Sequence, residues 1–218
     1  MNISIILTST VNVNLNKRCL FQKNKNDRLQ VYLKSILQWL HNTTFHIILV
    51  DNSGYLYEEL DNEKKRYQHR FEVITFDEKE LEESKYLKDN ISKGSSEIFS
   101  IHYAFHHSTL IEPKQNHFII KITCRYFIPE LENYLLEHDL NNYDCLTQYN
   151  RNRCEMVGTH SNFFSDIFNL HSSNHNKYEH IEYTYKVRTS QYKNILICKK
   201  FQIEKTQRGG KSEFFEDI

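Results

Sequence analysis

Residues 3–7 form a short apolar run rich in isoleucine that closes on Thr8-Ser9-Thr10, the pattern of a buried strand. A polar stretch rich in Asn and Lys follows to Asn26. Leu29, Tyr32, Leu33, Ile36, Trp39 and Leu40 then recur three and four residues apart, which predicts an amphipathic helix with Asp27 placed to cap it. Residues 45–50 read as a second buried strand, stopped by the turn chemistry of Asp51-Asn52-Ser53-Gly54. Residues 56–70 read as a charged surface helix, 71–76 as a third strand and 78–89 as a polar, exposed helix.

Gly94 stands just before a helix expected over 95–108, whose inward face is Ile98, Ile101 and Phe105. A fourth strand is expected over 118–123, and Pro129 is placed as the first residue of a helix running to Leu136. Residues 143–149 and 156–159 read as two more strands, 163–170 and 178–192 as helices, and 195–203 as one or two strands before a polar tail. Strands and helices alternate through two thirds of the chain, which predicts an α/β sandwich on a mostly parallel sheet. No repeat or linker interrupts it, so one domain is expected over 1–205, with 206–218 as tail. In such sheets ligands bind beyond the carboxyl ends of the strands, where strand order reverses. That rule selects Thr8-Ser9-Thr10, Asp51-Asn52-Ser53, Thr123 to Tyr126 and Glu155 to His160.

Composition narrows the chemistry. The 218 residues carry 28 basic and 28 acidic side chains, and this balance argues against a protein whose main task is gripping nucleic-acid phosphates. The five cysteines show no CxxC pair and are odd in number, so reduced thiols and a cytoplasmic setting are expected rather than a disulfide framework or a structural zinc site. No apolar run is long enough for a membrane span, and the opening run is too short for a signal-peptide core.

Five segments can carry chemistry. Asp51-Asn52-Ser53-Gly54 offers a carboxylate that takes hydrogen bonds from a ribose or a uracil-type imide; the alternative is a strand-to-turn cap. Lys93-Gly94-Ser95-Ser96-Glu97 opens a helix and offers a phosphate its free amides and the Lys93 charge, or is a solvated helix start. Lys121 lies in an apolar strand, where an unpaired ammonium is costly, so it needs an anionic partner or an exit to solvent at the strand end. Just beyond the strand, Arg125 can grip a diphosphate through two N–H groups or enter a structural ion pair. Glu155 can act as a general base or bind a sugar hydroxyl, or pair with Arg151 or Arg153, and His160 follows it. His102, His106 and His107 have helical spacing for a metal but no HExxH and no nearby carboxylate on the same face; an amphipathic face is the better reading.

Together these segments resemble the small GT-A-like glycosyltransferases of surface-polysaccharide and lipopolysaccharide gene clusters, some of which occur in large DNA viruses. The likeness runs from residue 3 to about 190. It rests on the opening strand, the helix carrying Arg28-Leu29 and Tyr32-Leu33, Val50-Asp51-Asn52-Ser53-Gly54, Lys93-Gly94 with Glu97, and Glu155-Met156-Val157-Gly158. Its most specific element is the Lys-x-Thr-x-Arg-Tyr pattern of Lys121, Thr123, Arg125 and Tyr126. The resemblance implies a GT-A-like, Rossmann-type sandwich that transfers a sugar from a nucleotide-sugar donor to a glycan acceptor; a binding module that has lost catalysis is the alternative. It implies donor binding by Thr8, Ser9, Arg28, Asp51, Asn52, Ser53, Lys93, Gly94, Glu97, Lys121, Thr123 and Tyr126, catalysis by Glu155 and Arg125, and His160 on the acceptor side. Many GT-A enzymes hold a divalent metal through Asp-x-Asp. That triplet is absent here, so no cofactor is expected and Lys93, Lys121 and Arg125 would offset the charge of the leaving diphosphate. The family usually has Gly where this chain has Cys124, whose thiol is expected to narrow the approach to a ligand.

Overall fold

A computed structural model describes residues 2–112, 117–170 and 180–218. The first strand, β1 (Asn2–Ser9), leads into α1 (Lys25–Asn42), then β2 (His46–Asp51), the short α2 (Asp61–Arg66) and β3 (Phe71–Thr75). The chain continues through α3 (Lys93–His107), β4 (His117–Thr123), α4 (Leu131–Leu136), β5 (Cys145–Thr147) and β6 (Met156–His160). It ends with α5 (Phe164–Ile167), α6 (Ile181–Thr189), β7 (Ile195–Ile197), β8 (Gln202–Gln207) and β9 (Phe214–Asp217).

Seven strands form one sheet in the order β3-β2-β1-β4-β6-β5-β7. All neighbours are parallel except around β6, which runs antiparallel to both β4 and β5. Because side chains alternate across a strand, β1 feeds two cores. Ile5 and Leu7 join Ile36, Trp39 and Leu40 of α1 on one face, while Ile6 joins Ile98, Ile101 and Phe105 of α3 on the other. The expected α/β sandwich on a mostly parallel sheet is thus the observed one, in a single domain.

Several local expectations change. The cap of α1 is Asn24, whose side chain accepts from the amides of Asn26 (2.8 Å) and Asp27 (3.2 Å); Asp27 lies inside the first turn. Helix α3 starts two residues early, at Lys93, because the Ser92 hydroxyl caps it by accepting from the Ser95 amide at 3.2 Å. Pro129 sits in a turn before α4, not as its first residue. The polar stretch 78–89 is not an exposed helix: it carries a 3-10 turn at Glu82–Leu87, and Glu78, Ser84 and Leu87 are buried. Its polarity serves a buried pair, Glu78 with Lys17 at 3.3 Å. The expected helix over 178–192 is α6, and positions 178 and 179 lie outside the described residues. Residues 206–218, read as a tail, hold the end of β8 and all of β9, a hairpin with Ile218 fully buried.

Candidate active site

The ends of β1, β4 and β6 and the first turns of α3 and α6 surround a cleft of about 240 Å³. Strand β6 contributes from its beginning rather than its end, since it runs antiparallel to β4 and Met156 pairs with Ile122. Glu155 therefore sits beside the carboxyl end of β4, with its carbonyl accepting from the Thr123 amide at 2.9 Å. His160 pairs with Phe118 at the opposite edge of the sheet, where its Nε2 lies 3.1 Å from the Leu140 carbonyl. The structure thus keeps Glu155 at the cleft and removes His160 from it.

One pole of the cleft is cationic. Arg28 is buried, and it donates to the carbonyls of Thr10 (2.7 Å) and Gln22 (3.0 Å) and to the Tyr32 hydroxyl (2.6 Å). Arg125, also buried, donates to Gln22 Oε1 at 3.0 Å and the Gln207 carbonyl at 3.2 Å. Lys93 Nζ donates to the Cys19 carbonyl at 2.8 Å. Among the described residues no carboxylate comes within ion-pair distance of any of the three. Burial first, and then the neighbouring Arg125 and Arg28 charges, lower the pKa of Lys93 against the opposing pull of Cys19 and Glu97. Arg208 of the β8–β9 turn also lines this end.

The other pole carries carboxylates. Glu97, one turn after Lys93 on α3, binds Lys121 Nζ at 2.7 Å; that ammonium is fully buried and also donates to the Cys154 carbonyl at 2.6 Å. Burial alone would depress Lys121, but Glu97, Cys154 and Glu155 outweigh it and hold its pKa above the ordinary value. Burial also raises Glu97, with Lys121 opposing. Of the two outcomes its apolar strand allowed, Lys121 thus takes the structural ion pair and not the exit to solvent, and it positions Glu97 instead of facing the cleft. Glu155 accepts through Oε2 from Arg153 Nε (3.1 Å) and Gln148 Nε2 (3.0 Å). Glu182, at the start of α6, is the third carboxylate lining this pole. Sequence reasoning missed it, because no motif marks a lone Glu in the first turn of a polar helix.

Thr8, Thr123, Tyr126, Gly94 and Asn52 line the cleft as expected. Asn52 belongs to a buried chain in which its Oδ1 accepts from Thr10 (2.6 Å) and its Nδ2 donates to Glu78 (2.7 Å). Ser9 also reaches the wall, although its hydroxyl donates to the Val50 carbonyl and to Asp51 Oδ2. Asp51 is fully buried and does not line the cleft. Its Oδ2 also accepts from the Val11 amide (3.1 Å), and its Oδ1 accepts from Ser53 N (2.8 Å) and Ser53 Oγ (2.6 Å). Asp51 and Ser53 are the strand-to-turn cap, joining the ends of β1 and β2. Cys124 is fully buried in the α1-side core, where burial raises its thiol pKa far above the usual value, so its side chain does not narrow the cleft.

The end of β4 and the turn after it offer Thr123, Cys124 and Arg125, and among the described residues no group of three or more His, Cys, Asp or Glu side chains is arranged to hold a metal. His102 and His106 face each other on α3 with Nε2 atoms 3.2 Å apart. No helix among the described residues is long and apolar enough to cross a membrane.

No family model and no curated protein matches the sequence. Solved structures do match. Residues 1–349 of S. aureus TarS, crystallised in complex with UDP-GlcNAc, align over 97% of this chain and 60% of that one, with a TM-score of 0.52 and 13% identity. An active-site mutant of LgtC aligns over 89% of this chain and 72% of that one, with a TM-score of 0.50 and 8% identity. The glycosyltransferase GlyE of Streptococcus pneumoniae aligns over 91% of this chain but 45% of its own, with a TM-score of 0.49 and 9% identity. The chain thus spans 60% of the TarS chain and less than half of GlyE. At these identities the likeness is one of fold, and this chain has the single-domain, GT-A-like α/β fold found in glycosyltransferases.

Proposed function

We propose that this protein is a glycosyltransferase that moves a sugar from a nucleotide-sugar donor to a hydroxyl of a glycan acceptor, in polysaccharide biosynthesis and in the reducing cytoplasm that its five free thiols favour. The observation that carries this reading is the cationic pole: Arg28, Lys93 and Arg125 meet only neutral oxygens, at the carboxyl edge of an α/β sheet. Concentrated positive charge in a chain of zero net charge fits an anion, and a diphosphate is the anion that such a fold presents at this edge. The helix dipole of α3, with Gly94 in its first turn, adds to the same field.

In the reaction the bond from the anomeric carbon to the diphosphate oxygen breaks and its electron pair leaves with the diphosphate. Arg125, Lys93 and Arg28 stabilise the charge that develops there. The acceptor oxygen forms the new bond, and in an inverting reaction Glu155 takes its proton. The charge on the leaving diphosphate is assigned to these three side chains, and no step is routed through a metal.

The Arg153 ion pair on Glu155 favours a second reading, a binding module without catalysis, since its Oε2 already accepts from both Arg153 and Gln148. A thermal-shift screen with UDP-, GDP-, dTDP- and CMP-sugars, followed by product analysis, separates the two. A ligand at a hundred times its dissociation constant adds about 2.7 kcal/mol of stability. Binding with turnover supports the enzyme, binding without turnover the module, and no binding defeats both.

A further inference from the structure

The two poles of the cleft differ in hydrogen-bonding sense as well as in charge. Lys93 and Glu97 stand one turn apart on α3 and so share a face, and they mark the boundary. On the Glu97 side, Glu155 and Glu182 also line the cleft. The cations that balance two of them, Lys121 and Arg153, are absent from the cleft wall. Among the described residues Glu182 has neither a hydrogen-bond nor an ion-pair partner. A second observation lies at the boundary itself: Ser96 lines the cleft, is only 6% exposed, and its Oγ has no hydrogen-bond partner in the protein. A buried hydroxyl left unbonded is costly, and a ligand group can satisfy it.

This geometry points to a specificity rule: the group bound beside the diphosphate is a hydroxyl-rich or amino sugar, and sugars bearing a carboxylate are rejected by Glu97, Glu155 and Glu182. A wall of carboxylate oxygens accepts hydrogen bonds from sugar hydroxyls and N–H groups. A uronate would bring a fourth carboxylate into a site whose balancing cations lie behind its surface, and like charges placed together strongly disfavour binding. The rule rests on the nucleotide-sugar reading above and names the class of sugar for that same site.

The test is calorimetric titration with matched pairs that differ only by oxidation at C6, UDP-glucose against UDP-glucuronate and GDP-mannose against GDP-mannuronate, with free UDP and GDP as references. At least a tenfold preference for the neutral sugar is expected in whichever nucleotide series binds. In Glu182→Lys that preference should shrink or reverse, and in Glu182→Gln, which conserves shape, it should shrink part of the way. Equal or tighter binding of the uronate, tight binding of CMP-sialate, or a ratio unmoved in both variants overturns the rule while leaving the donor reading intact. If neither the free nucleotides nor any sugar nucleotide binds, the donor reading fails and the rule falls with it.

Discussion

Asp51 shows how far a residue's position can mislead about its task. It stands at the carboxyl end of a central strand, where ligands bind in such sheets, yet its two oxygens are taken by Ser9, Val11 and Ser53. Removing it strands buried donors, each costing about 1–3 kcal/mol. Asp51→Ala is therefore expected to lower the midpoint of chemical denaturation clearly, while the folded fraction binds nucleotide sugar as the parent does; a stable variant that has lost donor binding would reverse this assignment. Arg125 makes the opposite case, because it is buried but bonded only to Gln22 and Gln207. A planar guanidinium can hold two diphosphate oxygens at once, which an ammonium cannot copy. Arg125→Lys should lower the rate of transfer by about 10²–10³ with a smaller loss of donor affinity, and transfer by the parent should survive EDTA. A steady-state kcat and KM comparison, with and without chelator, decides both points. Lys93 supplies a pH test. Its pKa is lowered from 10.5 in the free protein, and a bound diphosphate would raise it again. Donor binding should then take up a proton in the alkaline range, and affinity should fall as pH rises through the free-state pKa. Titration in buffers of different ionisation enthalpy measures that uptake directly.

At the scale of elements, the hydrophobic periodicity revealed what packing demands. Leu29, Tyr32, Ile36, Trp39 and Leu40 do form the buried stripe of α1, and residues 3–7, 45–50 and 118–123 are central strands because they are apolar on both faces. Strand direction left no such trace. Met156 to His160 has the same alternation whether it runs parallel or antiparallel, so its pattern does not reveal that His160 belongs at the far edge. Pairing was equally silent: the apolar surroundings of Lys121 allowed an anion or an exit to solvent, and only the fold selects Glu97 from the acidic residues available. The hairpin of β8 and β9 was hidden for a related reason, since most positions of β8 are polar and β9 is only four residues long. It nonetheless meets the cationic pole, where a Cβ on Gly209 would overlap the Arg125 guanidinium and one on Gly210 would lie 2.9 Å from Lys93 Nζ. Gly209→Ala is expected to weaken nucleoside-diphosphate binding about tenfold, near 1.4 kcal/mol, by pushing Arg125 out of line. An unchanged dissociation constant would show that Arg125 adjusts freely.

Across the whole molecule, a chain of zero net charge keeps its field local. Surface ion pairs such as Lys34–Glu204 and Lys199–Glu130 balance within themselves, whereas the cleft separates Arg28, Lys93 and Arg125 from Glu97, Glu155 and Glu182. On the proposed reading, this separation would orient a bound donor, with phosphates toward the hairpin and sugar toward α6. It does so without the long-range attraction for polyanions that a basic protein would have. Affinity for the donor should fall with salt more gently than affinity for a nucleic acid does, because few counterions are released.

Of the five cysteines only Cys19 is exposed, and burial shields the other four. Its backbone lies in the left-handed region, with φ of 55°, and its carbonyl is the one that holds Lys93. Cys19 is therefore the exposed thiol of the chain, a handle beside Lys93 and the cationic pole. A maleimide fluorophore should attach there with one-to-one stoichiometry in the folded state. Its emission should change when an anion draws Lys93 away from the Cys19 carbonyl, which would let unmodified sugar nucleotides be ranked by colour in a plate reader before any acceptor is known.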